Sequence, residues 1–168
     1  MADALDVYRD HPTTDEVDTV LAKRTSAAVG TLNPDGSIHL SYVIFLHDEG
    51  KIWFETSSVT KKVRNLSRDG RVSILVQGTA TTGRHLMTSI EGMARLLTGD
   101  EAAVVKRRLR AKYVKPEALD DLGRAWDRFD DVVVEVSPTR RRSWTGSVLH
   151  AETQRELATD YDDVWLED

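Results

Sequence analysis

The residues best equipped for chemistry lie in one short run, Thr56-Ser57-Ser58-Val59-Thr60-Lys61-Lys62-Val63-Arg64-Asn65-Leu66. It leaves a strand-like segment, offers the hydroxyls of Thr56, Ser57, Ser58 and Thr60, and places two lysines where a short helix should begin. Backbone donors freed at a helix start, the positive end of the helix dipole and two cations coincide there. That combination holds a phosphate. A solvated basic turn would carry the same residues, and composition alone leaves both readings open.

Other chemistry is thinner. The absence of cysteine removes disulfides, thiolate metal sites and cysteine nucleophiles, leaving only histidine and carboxylates for a metal. Of the five histidines, His11, His39, His47, His85 and His150, none stands at ligand spacing with another. His39 and His47 share a strand face but lie too far apart, at ~3.3 Å per residue, to hold one ion. Each reads as a structural or surface residue, with His39 the one offered as a proton donor. The glycines of GTATTG at 78–83 lack both the strand-turn-helix order and the lysine of a phosphate loop, so that segment reads as a plain connection.

Two basic runs, 106–112 and Arg140-Arg141-Arg142, read as solvated faces, because no aromatics interleave them as single-strand binding would require. A net charge of −5 argues against general affinity for nucleic acid or anionic membrane. No segment approaches the ~18 apolar residues of a bilayer span, and the first residues lack a signal pattern, so a soluble cytoplasmic chain is expected. With 40% hydrophobic and 30% charged residues the composition is that of a folded domain, not a disordered chain.

The elements that must position these residues follow from periodicity. Thr13-Thr14-Asp15-Glu16 has the form of a capping box, with Val17, Val20 and Leu21 following at helical spacing, which predicts a helix over 14–23. Strands are expected at 27–32 and 38–47, joined by the turn Asn33-Pro34-Asp35-Gly36, and at 51–56, 71–77 and 84–97, with Gly92 as a bulge or a point of close backbone approach. The 38–47 strand carries apolar residues on both faces and reads as central, with Tyr42, like Trp53, a core aromatic. A short helix is expected over 60–67. Two more follow over 100–114 and from Pro116 onward, the latter with Leu119, Leu122, Trp126 and Phe129 as its stripe, both lying flat on the sheet. A last strand at 131–137 precedes an extended basic piece to Trp144 and an acidic, weakly helical tail ending in Val164-Trp165-Leu166. Six strands joined mostly by hairpin-sized turns favour a closed antiparallel barrel with flanking helices, an α+β fold that is mainly β.

The succession VGTLNPDGSIHLS at 29–41, IWFET at 52–56 and KKVRNLSRDGRVSILV at 61–76 resembles the pyridoxamine 5′-phosphate oxidase-like split-barrel superfamily. IEGMARL at 90–96 is similar to that family's strand with a central EG-x-A, and 133–144 to its closing strand with a P-T-R exit. The likeness covers about 27–144. It implies a homodimeric six-stranded split barrel that holds a flavin or deazaflavin between subunits and acts on a small-molecule substrate, with no nucleic acid or membrane partner. It divides the chain into a leader and short helix (1–25), the cofactor-binding barrel (26–145) and an acidic tail (146–168).

Carried over by position, Lys62 matches the phosphate-binding lysine, Lys61 the basic residue beside it, and Thr60 a polar position on the same anion, with Ser58 a further hydroxyl of that turn. Thr56 matches the strand-end residue beside the ribityl chain. Tyr42, Val43 and Ile44 fall on the strand lining the tricyclic ring, and Gln77 lies where the neighbouring strand exits toward it. The oxidases of vitamin B6 carry an arginine near the position of Ser41 and a substrate-binding basic tail; here Ser41 is uncharged and the tail is acidic. The pattern is closer to the branch that binds coenzyme F-420, with flavin mononucleotide (FMN) the alternative and a haem- or FMN-binding module without turnover a third reading. Arg141 and Arg142 would then attract the anionic tail of a deazaflavin.

Overall fold

The computed structural model describes residues 10–129 and 131–164. Its elements are α1 (Thr14–Ala22), β1 (Ser26–Leu32), β2 (Ile38–Ile44), β3 (Leu46–Asp48), β4 (Lys51–Thr56), α2 (Lys61–Arg68), β5 (Arg71–Thr79), β6 (His85–Leu97), α3 (Gly99–Tyr113), α4 (Leu119–Trp126), β7 (Val132–Thr145) and α5 (Ser147–Glu156). Single 3-10 turns precede α4 at Pro116–Ala118 and close the described chain at Tyr161–Val164. The capping box forms as expected: Glu16 N–H donates to Thr13 Oγ1 at 3.2 Å, and Thr13 N–H to the Glu16 carboxylate at 2.9 Å. Helix α1 thereby starts where Val17, Val20 and Leu21 can bury against the sheet.

One antiparallel sheet runs in the order β2-β1-β5-β6-β7-β4-β3. Its two outermost strands are separated in sequence by Phe45 alone. Laid flat, seven strands at ~4.8 Å would hold those edges about 29 Å apart, whereas one residue reaches only ~3.5 Å. The sheet therefore curls until its edges meet at Phe45, whose buried ring joins Val29, Phe54, Ile74, Val76 and Ile90 in the core. Val20 and Leu21 of α1 and Leu66 of α2 belong to the same cluster. Strand β4 is buried on both faces, because α3 covers its outer side through Trp53, Ala102, Val105 and Val133.

Several expectations change here. The strand foreseen at 38–47 breaks at Phe45 into two strands on opposite edges, which makes seven strands where six were expected. Strand β2 is not central: it pairs only with β1. Its inner Val43 packs on the core, while outward Ile38, Leu40 and Tyr42 are 67%, 69% and 80% exposed, so Tyr42 is no core aromatic. Trp53 is, with its indole N–H on Glu135 at 3.2 Å. Helix α4 does not lie on the sheet; it has no buried residue, leaves Phe129 exposed and packs beside α3.

The basic piece after Ser137 stays in the sheet, continuing β7 through Pro138 to Thr145. A bulge between Glu91 and Gly92 allows it, setting Gly92 opposite Pro138, which has no N–H for the ladder. The tail forms α5, with Val148 buried. Residues 1–9 of the expected leader, and Trp165 and Leu166, lie outside the described residues. No helix among those described is long and apolar enough to cross a membrane.

Candidate functional site

Strand β4 runs out of its ladder at Thr56, paired with Val132 of β7, and the chain turns through Ser57, Ser58 and Val59 into α2. The turn is tied by its own groups. Ser57 C=O accepts Thr60 N–H at 3.0 Å and the Thr60 hydroxyl at 2.8 Å. With its hydroxyl so engaged, Thr60 stands at the N-cap and makes no side-chain cap bond to α2. Lys62 Nζ donates to Thr56 Oγ1 at 3.1 Å, Ser58 N–H donates to Asp131 Oδ1 at 2.7 Å, and Lys61 is exposed. Thr56, Ser58, Thr60, Lys61 and Lys62 thus form one corner rich in donors and positive charge, which suits an anion with several acceptor oxygens.

The Asn65-Leu66 part of the same block builds this corner without lining it. Asn65 is buried, and its Nδ2 donates to Thr31 Oγ1 at 3.1 Å and to Asn33 Oδ1 at 3.0 Å. Arg68 reaches Leu32 C=O. Helix α2 is thereby fastened to the turn end of the β1–β2 hairpin. On the inner face of that hairpin, His39 pairs with Thr31 and Ser41 with Val29. Ser41 Oγ is the one buried side-chain polar atom among the described residues with no hydrogen-bond partner. A buried hydroxyl left so costs about 1–3 kcal/mol, and a polyhydroxylated or phosphorylated ligand would offset that cost. The residues present therefore fit a cofactor with a ribityl phosphate.

The other expected residues sit elsewhere. Val43 points inward to the core, whereas Tyr42 and Ile44 face out. Gln77 is on the outer face of β5, opposite Met87 and one residue beyond the Ala27–Val76 pair. Tyr42, Ile44 and Gln77 therefore share the Phe45 end of the outer face. Their side chains stand on the outer face of the sheet, whereas Ser41 and Val43 on either side of Tyr42 face inward.

Cross-strand pairing lines up Tyr42, Ala28, Leu75, Ser89 and Arg142 on the outer face, with Leu40, Gly30, Ser73, Glu91 and Arg140 in the next row. Small residues in the middle leave a trough of about 610 Å³ walled by Leu40, Leu75 and Met93. Beyond this row Arg140 reaches Glu91 at 4.0 Å, while Arg141, opposite the buried Ile90, pairs with Asp18 of α1 at 3.3 Å.

Two features escaped sequence reasoning. Asp131 belongs to the corner, although in the sequence it reads only as the first residue of the last expected strand. Lys112, which reads in the sequence as part of a solvated basic face, instead closes the seam at Phe45 together with Tyr113. Lys112 Nζ donates to Leu21 C=O at 3.0 Å and Phe45 C=O at 3.1 Å, lying 4.5 Å from the Phe45 ring centre. Tyr113 Oη accepts Phe45 N–H at 3.3 Å and lies 2.8 Å from Thr25 C=O. Burial lowers the Lys112 pKa to about 8 and also favours neutral His47. Among the described residues no group of three or more His, Asp or Glu is placed to hold a metal ion.

A family model described as pyridoxamine 5′-phosphate oxidase matches residues 13–145. Among solved structures, the conserved hypothetical protein Rv2991 from Mycobacterium tuberculosis is 27% identical, with 84% of this chain and 90% of that one covered and a TM-score of 0.69. An F420 reductase is 21% identical over 78% of this chain and 98% of its own, TM-score 0.57. HutZ, a heme storage protein from Vibrio cholerae, is 16% identical over 79% and 93%, TM-score 0.60. The last two likenesses show a common fold alone. No curated protein matches the chain.

Proposed function

Since the chain belongs to the pyridoxamine 5′-phosphate oxidase family across residues 13–145, we propose that it is an oxidoreductase that binds a deazaflavin, coenzyme F-420, with FMN the alternative. The observation carrying this reading is the corner itself: Lys62 on Thr56, uncapped α2 donors, and the orphaned Ser41 hydroxyl on the hairpin face that α2 covers. The solved F420 reductase of the same fold supports the choice of coenzyme.

When bound, the tricyclic ring supplies hydride transfer to or from a small conjugated substrate, and the chain supplies orientation. In this reading Lys61 and Lys62 grip the phosphate, Ser58 and Thr60 shape the turn that presents them, and Thr56 and Ser41 meet the polyol. A second copy of the chain covers the outer face, so that Tyr42, Ile44 and Gln77 of one subunit complete the ring site of the other. Their outward orientation on the sheet, where a second chain could reach them, supports that division. The exposed apolar strip Ile38, Leu40 and Tyr42 is the surface such a pair would bury.

Titrating the protein with F-420 and FMN in parallel, following absorbance or ring fluorescence, tests the assignment. One of them should bind, and Lys62→Ala should weaken it by about 1.5–3 kcal/mol, the range for hydrogen bonds to charged groups. Binding unaltered by that substitution removes the corner from the site.

A further inference from the structure

The ladder between β4 and β7 ends at the Thr56–Val132 pair, and the next link across the two strands is made by a side chain. Asp131, immediately before Val132, receives the Ser58 N–H on Oδ1 at 2.7 Å, joining residues 73 apart in sequence. This short bond to a carboxylate is of the charge-assisted kind. It holds the first residues after β4, and the ties through Ser57 C=O to Thr60 then fix where α2 begins. Asp131 also lines the groove between α3 and α4 with Lys106 and Asp127, which are themselves paired at 3.2 Å.

A carboxylate beside a phosphate site is electrostatically adverse, since like charges in a partly desolvated corner repel. Its contribution must therefore be geometric. We infer that Asp131 is a positioning residue that clamps the Ser57–Thr60 turn in its anion-gripping form and thereby sets selectivity for phosphorylated over unphosphorylated coenzymes. The inference rests on the corner being the phosphate site. Asp131 touches the turn and not the coenzyme, so removing the side chain should loosen the grip while leaving the ring site alone. Replacing it with asparagine keeps an acceptor oxygen for Ser58 N–H and takes away only the charge.

The test is a binding series with FMN against riboflavin, and F-420 against its dephosphorylated deazaflavin core, on wild type, Asp131→Ala and Asp131→Asn, with melting temperatures alongside. Asp131→Ala should weaken the phosphorylated ligand by about tenfold, the effect of losing one charge-assisted bond, and leave the unphosphorylated one within twofold. Asp131→Asn should bind the phosphorylated ligand as tightly as wild type or more so, because the repelling charge is gone. A wild-type preference for phosphate that survives Asp131→Ala would overturn the clamp alone. So would equal weakening of both ligands in both variants, which would report a general folding defect. A wild type that does not distinguish FMN from riboflavin, nor F-420 from its core, would overturn the corner, and the clamp with it.

Discussion

Asn65 and Lys112 illustrate how single side chains hold this molecule together by reaching distant backbone and side-chain groups. Truncating Asn65 to alanine leaves the buried Thr31 hydroxyl without its donor and releases the hairpin turn at Asn33. Its expected cost is about 1–3 kcal/mol, read as a lower urea midpoint with an unchanged slope. No loss of stability would mean that α2 is held by Val63 and Leu66 alone. Lys112 gives a pH signature of uncommon sign. Its pKa falls from 10.5 to about 8 on folding, so between those values the unfolded chain binds the extra proton and stability rises with pH. Tyr113, pushed up by burial, acts in the opposite sense only from about pH 10. Urea unfolding between about pH 8 and 10 should therefore show a rise that Lys112→Met flattens. Stability that stays level or falls over that interval would refute the burial of the ammonium at the Phe45 seam.

Among the elements, β6 and β7 carry the longest pairing and its one irregularity. A Cβ on Gly92 would sit 2.6 Å from Ser137 C=O and 2.9 Å from Val136 Cγ1, so the bulge can pack only around a glycine. Gly92→Ala should cost about 1–3 kcal/mol, the usual penalty for forcing atoms into a packed interior. A thermal melt within a degree of wild type would show that the two strands can part there freely. The bulge also lets β7 continue past Pro138 and carry Arg140 and Arg142 onto the outer face. Helix α4 is the contrasting case. It packs beside α3 and not on the sheet, and none of its residues is buried despite a pattern that reads as core-facing.

For the whole molecule, closure at Phe45 produces an interior that is filled and an exterior that is unusually apolar along β2. Ile38, Leu40 and Tyr42 stand in a row above a floor of Ala28 and Gly30. A twofold pair built on this face would be broken by Leu40→Asp, which places a charge at its centre but leaves the interior untouched. Sedimentation should then show a monomer of native circular dichroism, with coenzyme affinity reduced because half of each ring site is gone. A variant that sediments like wild type would move the subunit contact elsewhere.

Sequence by itself determined what depends on neighbours along the chain. The capping box at Thr13, the turn at Asn33 to Gly36, the strands around Val29, Phe54 and Ile74, the bulge at Gly92 and the contiguous corner from Thr56 to Lys62 were all readable, because each is set by local hydrogen bonding or by short-range periodicity. Only the tertiary structure decided which elements lie side by side. It put β2 at an edge, split it at Phe45, sent α4 to α3, and brought Asp131 to Ser58, Asn65 to Thr31 and Lys112 to Phe45. An apolar pattern records that a face is covered but not by what, and a carboxylate or amide can find its partner at any separation once the sheet has curled. The same physics left Tyr42 ambiguous: a ring left on the outer face and a ring destined for the core are written alike.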